Sequence, residues 1–379
     1  MKPAMAANKT KKALVPKLRF KGFGDEWKPT LLGSTCRVTT GNKDTQNRVD
    51  DGAFPFFVRS NTVERINSYS FDGEAILTSG DGVGVGKNFH YINGKFDFHQ
   101  RVYALLDFKK NYYGKFIYQL FVEKFYKRVM RLSAKNSVDS VRLNMITEMN
   151  VCFPTLPEQQ KIAVFLSALD EKIQQLTRKK ELLEQYKKGV MQQLLTGKLR
   201  FKDSNGKAYP KWEERRLGDV LDYIQPTKYL VESTEYDNSY STPVLTAGKT
   251  FILGYTNETK NIYNQILPVI LFDDFTTATQ FVDFPFKAKS SAMKILVPKQ
   301  NENILFLYEV MQLIKFEVGG HGRHWISQFA LLNIPYPCIE EQQKISEYLK
   351  AINSKIEFVS KQITQTQTFK KGLLQQMFV

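Results

Sequence analysis

The sequence predicts an α+β protein: two mixed α/β domains separated by two long helices that pair as an antiparallel coiled coil, the whole forming a pseudo-two-fold tandem repeat. Three observations predict it. Glu158-Gln159-Gln160-Lys161-Ile162 recurs as Glu341-Gln342-Gln343-Lys344-Ile345, an offset of 183 positions. Each copy opens a long run of apolar residues at alternating steps of four and three, the spacing of a coiled-coil seam. Between the repeated blocks, roughly 34–150 and 219–333, the two halves share almost no sequence.

The repeat has two parts. Lys187-Lys188-Gly189 returns as Lys370-Lys371-Gly372, Gln192-Gln193 as Gln375-Gln376, and Pro154 as Pro337, all at the same offset. A second block opens each half: Leu18-Arg19-Phe20-Lys21 answers Leu199-Arg200-Phe201-Lys202, Trp27 answers Trp212, and Leu32-Gly33 answers Leu217-Gly218. Its offset moves from 181 (18 against 199) to 185 (27 against 212), which places a short insertion near Gly22–Gly24, where a surface turn tolerates it.

The first seam runs Ile162, Leu166, Leu169, Ile173, Leu176, Lys180, Leu183, Lys187, Val190, Leu194, and the second Ile345, Leu349, Ile352, Ile356, Val359, Ile363, Thr366, Lys370, Leu373, Met377. Eight of ten positions are apolar in each. Pro157 suits a first helical turn and Gly197 the left-handed residue that closes a helix. A helix from 158 to 195 would be about 57 Å long, too long to bury so narrow a stripe against one small domain, so its partner is expected to be the other copy. Within the inserts, Ala75–Thr78, Val102–Leu106, Ile266–Phe272 and Met293–Val297 read as strands, and Lys115–Met130 and Ile304–Phe316 as helices. The expected organisation is a basic, flexible leader over 1–16, a domain over 17–157, a spacer helix over 158–196, a second domain over 197–340 and a C-terminal spacer helix over 341–379.

Fifty-four lysines and arginines oppose 38 acids, a formal charge of +16, which favours a polyanionic partner. Three widely spaced cysteines, Cys36, Cys152 and Cys338, support neither a disulfide framework nor a zinc site. No stretch has the length and apolarity of a signal peptide or a membrane span, so a cytoplasmic protein with no membrane partner is expected.

Four signals suggest enzymes, and each is incomplete. Gly80–Lys87 has five residues between Gly80 and Gly86, where a P-loop has four, and Asn88 follows its lysine. Asn333-Ile334-Pro335-Tyr336 looks like the loop that holds the target amine in adenine-N6 methyltransferases, but no cofactor-binding βα unit precedes it. His321 and His324 have no third metal ligand nearby, and Asp273-Asp274 has no nuclease-like partner. We therefore expect no catalytic residue and no metal ligand in this chain. The loops instead offer groups suited to base edges and phosphates: Arg59, Asn61, Lys87, Asn88, Gln100, Arg101, Lys135, Asn136 and Arg142 in the first insert, and Lys249, Gln280, Arg323, His324 and Trp325 in the second.

Two dissimilar inserts, each followed by Pro-x-x-x-Glu-Gln-Gln-Lys-Ile and a heptad helix ending in Lys-Lys-Gly, resemble the specificity subunits of type I restriction-modification enzymes over 17–379. The resemblance implies that each insert is a target recognition domain reading one half of a bipartite, asymmetric site on double-stranded DNA. It implies that the helices set the spacing and dock two methyltransferase subunits, that restriction/translocase subunits join the complex, and that S-adenosylmethionine, ATP and Mg2+ act on those partners. A stand-alone or fused adenine-N6 DNA methyltransferase is the alternative.

Overall fold

The structure, a computed structural model, describes residues 14–132, 140–314 and 322–379. The chain divides into two units, Met1–Thr177 with Lys361–Val379, and Arg178–Ser360. Both divisions fall inside long helices, after Thr177 and after Ser360, which are themselves 183 positions apart. Each unit thus holds one domain, the first half of the helix that follows it, and the last half of the other helix. The sequence placed the domain edges at the helix ends instead.

In unit 1 the strands are β1 (Lys28–Leu31), β2 (Arg37–Thr40), β3 (Phe54–Phe57), β4 (Val63–Ile66), β5 (Phe71–Ser79), β6 (Phe89–Phe98), β7 (Val102–Leu106) and β8 (Asn150–Phe153), with helices α1 (Gly114–Leu132) and α2 (Leu143–Thr147). A six-stranded sheet has the order β2-β7-β5-β6-β3-β4, antiparallel except for the parallel pair β3 and β6. Strand β1 pairs with β8 in a separate ribbon that leads into the long helix α3 (Leu156–Leu195). The sequence reading missed β6. Its middle, Asn93-Gly94-Lys95, is polar and contains a glycine at φ +143°, which hides the strand from a hydrophobicity scan.

Unit 2 contains β9 (Glu213–Arg216), α4 (Leu217–Val220), β10 (Leu221–Ile224), β11 (Thr242–Leu245), β12 (Ile252–Thr256), β13 (Val269–Asp273), β14 (Thr279–Val282), β15 (Lys287–Ala288), β16 (Met293–Pro298), α5 (Ile304–Met311), α6 (His324–Ser327) and β17 (Asn333–Tyr336). Its second long helix, α7 (Ile339–Met377), ends in unit 1. Sheets of order β10-β16-β13-β14 and β12-β11-β15 repeat the connectivity of unit 1, with β14 and β15 together taking the part of β6. The parallel contact β11–β15 answers β3–β6, and β9–β17 answers β1–β8. Single hydrogen bonds repeat as well. Gly80 N to Arg101 O is matched by Asp274 N to Ala292 O, and His99 N to Phe57 O by Lys289 N to Leu245 O. Two inserts without visible sequence likeness therefore share one fold.

The repeated motifs are explained by buried contacts. Arg19 donates through Nε and Nη2 to both oxygens of Glu158 at 2.7 Å, and Arg200 grips Glu341 in the same way at 3.1 and 2.6 Å. Both glutamates are almost fully buried. The same guanidinium closes the loop behind it, on Asp25 O in unit 1 and on Pro210 O in unit 2. The extra residues of unit 2 form the turn Asp203–Lys207. Gln159 donates to Pro154 O and Gln342 to Pro337 O, both at 2.9 Å, so the Pro-x-x-x-Glu-Gln junction pins each long helix to the strand before it. Phe20 meets Phe165 edge-on, as Phe201 meets Tyr348.

Helix segments pair antiparallel within each unit. In unit 1, Ile162 and Leu166 share a core with Leu373, Leu374, Met377 and Phe378; in unit 2, Ile345, Leu349 and Ile352 share one with Met191, Leu194 and Leu195. Leu169 and Ile356 are partly buried against these cores, Val359 is buried, and Ile173, Leu176, Leu183 and Ile363 are half-buried. The outer seam residues thus belong to domain cores as much as to a coiled coil. Gly197, at φ +69°, closes α3 as expected. Leu18 N donates to Gln376 O just as Leu199 N donates to Gln193 O, so the end of α7 meets unit 1 in the place that the end of α3 takes in unit 2.

Of the three seam lysines, the equivalent pair Lys187 and Lys370 is engaged by carboxylates from other elements, while Lys180 lies 3.6 Å from Glu184 one turn along its own helix. In unit 1, Lys370 and Gln119 both donate to Asp170, at 2.5 and 2.7 Å. In unit 2, Lys187 lies 3.3 Å from Glu309, which also accepts from Asn353 at 3.2 Å. Asp170 and Asn353 are equivalent by the 183 offset, and Gln119 and Glu309 by their places in α1 and α5. Carboxylate and carboxamide have therefore traded places between the units. Residues 1–13 of the leader lie outside the described residues. At 14–16, Pro16 is buried and Leu14 O accepts from Trp27 N at 2.9 Å, which fastens these three residues to the domain.

Candidate nucleic-acid interface

In unit 1 the loops after β3 (residues 58–62), after β5 (80–88) and after β6 (99–101) converge with the segment 140–142. Gly80 O accepts from Val141 N, and Asp81 and Ser140 form an isolated bridge. Asp81 sits at the centre. It binds Arg59 Nη1 at 3.0 Å and Arg101 Nη1 at 2.9 Å, while both arginines stay about half exposed. Asn61, Lys87 and Arg142 are exposed on the same loops, and Lys87 lies 6.0 Å over the Tyr126 ring. Gln100 is exposed but holds Asp44 Oδ2 at 2.9 Å. Burial pushes the His99 imidazole below its ordinary range, which suits a neutral ring whose Nδ1 accepts from Arg101 N at 2.9 Å.

Three of the predicted contact residues are buried. Asn88 is buried and donates to Arg59 O and Ser79 Oγ, fixing the arginine's backbone. Trp325 is buried against Phe272 in the core of unit 2, and His324 is buried beside it, their backbone N–H groups held by Asp274. Sequence alone reads an Arg-His-Trp run as polar chemistry. The neighbouring turn, with Asp274 paired to buried Lys294, draws two of the three residues inward. Lys135 and Asn136 lie outside the described residues, as does His321.

Unit 2 presents Lys249 and Arg323 exposed at the equivalent end, whereas Gln280 donates to Gly248 O at 3.2 Å. That bond occupies the place of His90 Nε2 to Ser60 O in unit 1, so Gln280 ties a loop down. Sequence reasoning missed Asp81 and Asp44. Nothing in the sequence pairs Asp81 with arginines 22 and 20 positions away.

The enzyme-like motifs also find places. Gly80–Lys87 joins two antiparallel strands, with Gly82 and Gly86 at φ +76° and +65°, and no helix N-terminus follows it. Asn333–Tyr336 is β17, whose counterpart Asn150–Phe153 is β8, so this run is part of the repeated frame. Among the described residues no helix is long and apolar enough to cross a membrane.

The same domain frame is thus built twice, and each copy leads into a long helix and exposes basic side chains at its loop end. The description "Type I restriction modification DNA specificity domain" matches residues 24–185 and again 209–367, and the chain belongs to that family. It is 51% identical over 133 residues to the specificity subunit of the type I restriction enzyme EcoR124I/EcoR124II of Escherichia coli, spanning 34% of this chain and a third (33%) of that protein. A putative type I specificity subunit of Mycoplasma pneumoniae is 26% identical over 329 residues, covering 83% of this chain and 86% of that one. The crystal structure of a type I restriction-modification S subunit from M. genitalium superposes with a TM-score of 0.71 at 16% identity, over 96% of this chain and 99% of that one, a likeness of fold.

Proposed function

We propose that this chain is the DNA-reading specificity subunit of a type I restriction-modification complex, without a catalytic site of its own. Each domain reads one half of a bipartite, asymmetric site on double-stranded DNA. The paired helices set the spacing and dock two methyltransferase subunits, with restriction/translocase subunits joining them; S-adenosylmethionine, ATP and Mg2+ act on those partners. One observation carries this reading: the same sheet, frame and helix junction are built twice, while Arg59, Asp81 and Arg101 at one loop end stand where the other has Ala247, Phe275 and Ala292. A frame kept constant under two different surfaces suits two readers of different sequence, and a protein needing one active site has no use for it.

The test is an exchange. Replacing residues 219–333 with the insert of another family member is expected to change one half of the methylated-adenine motif in host DNA and leave the other half intact. A change in both halves would overturn the modular reading. Binding of the purified chain to a duplex should weaken steeply with salt, with a slope of about −0.9 per neutralised phosphate. Salt-independent binding, or none, would count against DNA as the ligand.

A further inference from the structure

We propose that Asp81 is a positioning residue that turns Arg59 and Arg101 from phosphate anchors into readers of base edges, so that it sets the fidelity of the first domain at the expense of its general affinity for DNA. The proposal rests on the DNA-reading function above and goes beyond it in assigning this role to an acid.

The two arginines come from different loops and are held at both ends. Arg59 O accepts from Asn88 Nδ2, Arg101 O accepts from Gly80 N, and Arg101 N donates to His99 Nδ1. Between them the Asp81 carboxylate takes one Nη1 from each, at 3.0 and 2.9 Å, and is itself largely covered. Each guanidinium keeps its Nε and Nη2 edge, the pair of donors that suits the O6 and N7 acceptors of guanine. A carboxylate shared by two arginines leaves a net charge of one where free arginines would carry two. Attraction to phosphate, which is the same at every sequence, is thereby reduced. Directional contacts survive, and the side chains are ordered before DNA arrives, which lowers the entropy lost on binding.

The fold does not need this arrangement. Unit 2 builds the same sheet with Ala247, Phe275 and Ala292 at the positions of Arg59, Asp81 and Arg101, as the paired hydrogen bonds place them. An ion-pair fork found in one unit and absent from its structural twin belongs to what distinguishes the two readers.

The experiment compares the full chain with Asp81→Ala and Asp81→Asn. On a 40-base-pair duplex of random sequence, both variants should bind more tightly than the parent at low salt, with a salt slope steeper by about one to two, one increment of ~0.9 for each arginine released to phosphate. In cells that also express the methyltransferase subunits, the methylated motif should relax in one half only, with discrimination there falling about tenfold. Arg59→Ala and Arg101→Ala should relax the same half without the gain in random-duplex affinity. Weaker random-duplex binding by the Asp81 variants would mean that Asp81 merely holds the loop. An unchanged slope and motif, or relaxation of both halves, would likewise overturn the proposal. If the parent chain itself shows no salt-dependent duplex binding, the DNA-reading function fails first.

Discussion

Arg19→Ala is expected to destabilise unit 1 by about 3 kcal/mol, the lower end of the range for removing one partner of a buried ion pair, because Arg19 retains slight exposure. The cost comes from what is left behind. Glu158 is 1% exposed and has both oxygens on Arg19, so the truncated variant buries a carboxylate facing no cation there. Such a carboxylate has its folded pKa raised above its unfolded value. Folding is then least penalised below the unfolded pKa, near 4.3, and the penalty grows as pH rises through the raised folded value. The deficit should therefore shrink between pH 7.5 and pH 5. The urea midpoint at both pH values checks this, with hydrogen exchange at β1 and the start of α3 locating the loss in unit 1. Arg19→Lys, which keeps the charge and loses the two-pronged contact, should fall between. A deficit under 1 kcal/mol that is the same at both pH values would refute the account.

The frame was legible in the sequence because it obeys period and repetition. The 183 offset, the heptad steps and Gly197 each reflect a local rule, and the helices run Leu156–Leu195 and Ile339–Met377 where they were expected at 158–196 and 341–379. What each repeated residue does was not legible. Arg19 and Glu158 are 139 positions apart, and no local pattern announces their contact. The loop ends were read least well, because exposure there depends on tertiary partners. Asn88 and Trp325 carry groups suited to bases but are spent on Arg59 O and on Phe272. Asp81 carries the charge least suited to DNA and yet lies at the centre of the basic cluster. Lys187 and Lys370 looked like flaws in the seam until Glu309 and Asp170 appeared beside them.

That last pair of contacts leads to the second large effect, on pairing between each domain and its helix. Unit 1 combines a carboxamide on the domain, Gln119, with a carboxylate on the helix, Asp170; unit 2 combines a carboxylate on the domain, Glu309, with a carboxamide on the helix, Asn353. Each set serves one lysine with one carboxylate. Asn353→Asp should therefore place two carboxylates against Lys187, beside a Glu309 that is fully buried, and cost about 2–3 kcal/mol. Glu309→Gln alone should cost about 1–3 kcal/mol, since it strips Lys187 of its carboxylate while that side chain is 23% exposed and can partly rehydrate. The double variant rebuilds the unit 1 set inside unit 2 and should recover about half or more of the summed losses, a coupling of about 2–3 kcal/mol in a double-mutant cycle on thermal or urea unfolding. Additive losses would show that the exchanged residues are unrelated. The same logic reaches the exchange of one domain for the other. Moving residues 34–150 into the place of 219–333 sets Gln119 against Asn353 and leaves Lys187 facing two carboxamides, so the transplant should be unstable until Asn353→Asp accompanies it. A transplant equally stable with and without that change would show that any domain fits either helix, and that the traded carboxylate is an accident of two independent sequences.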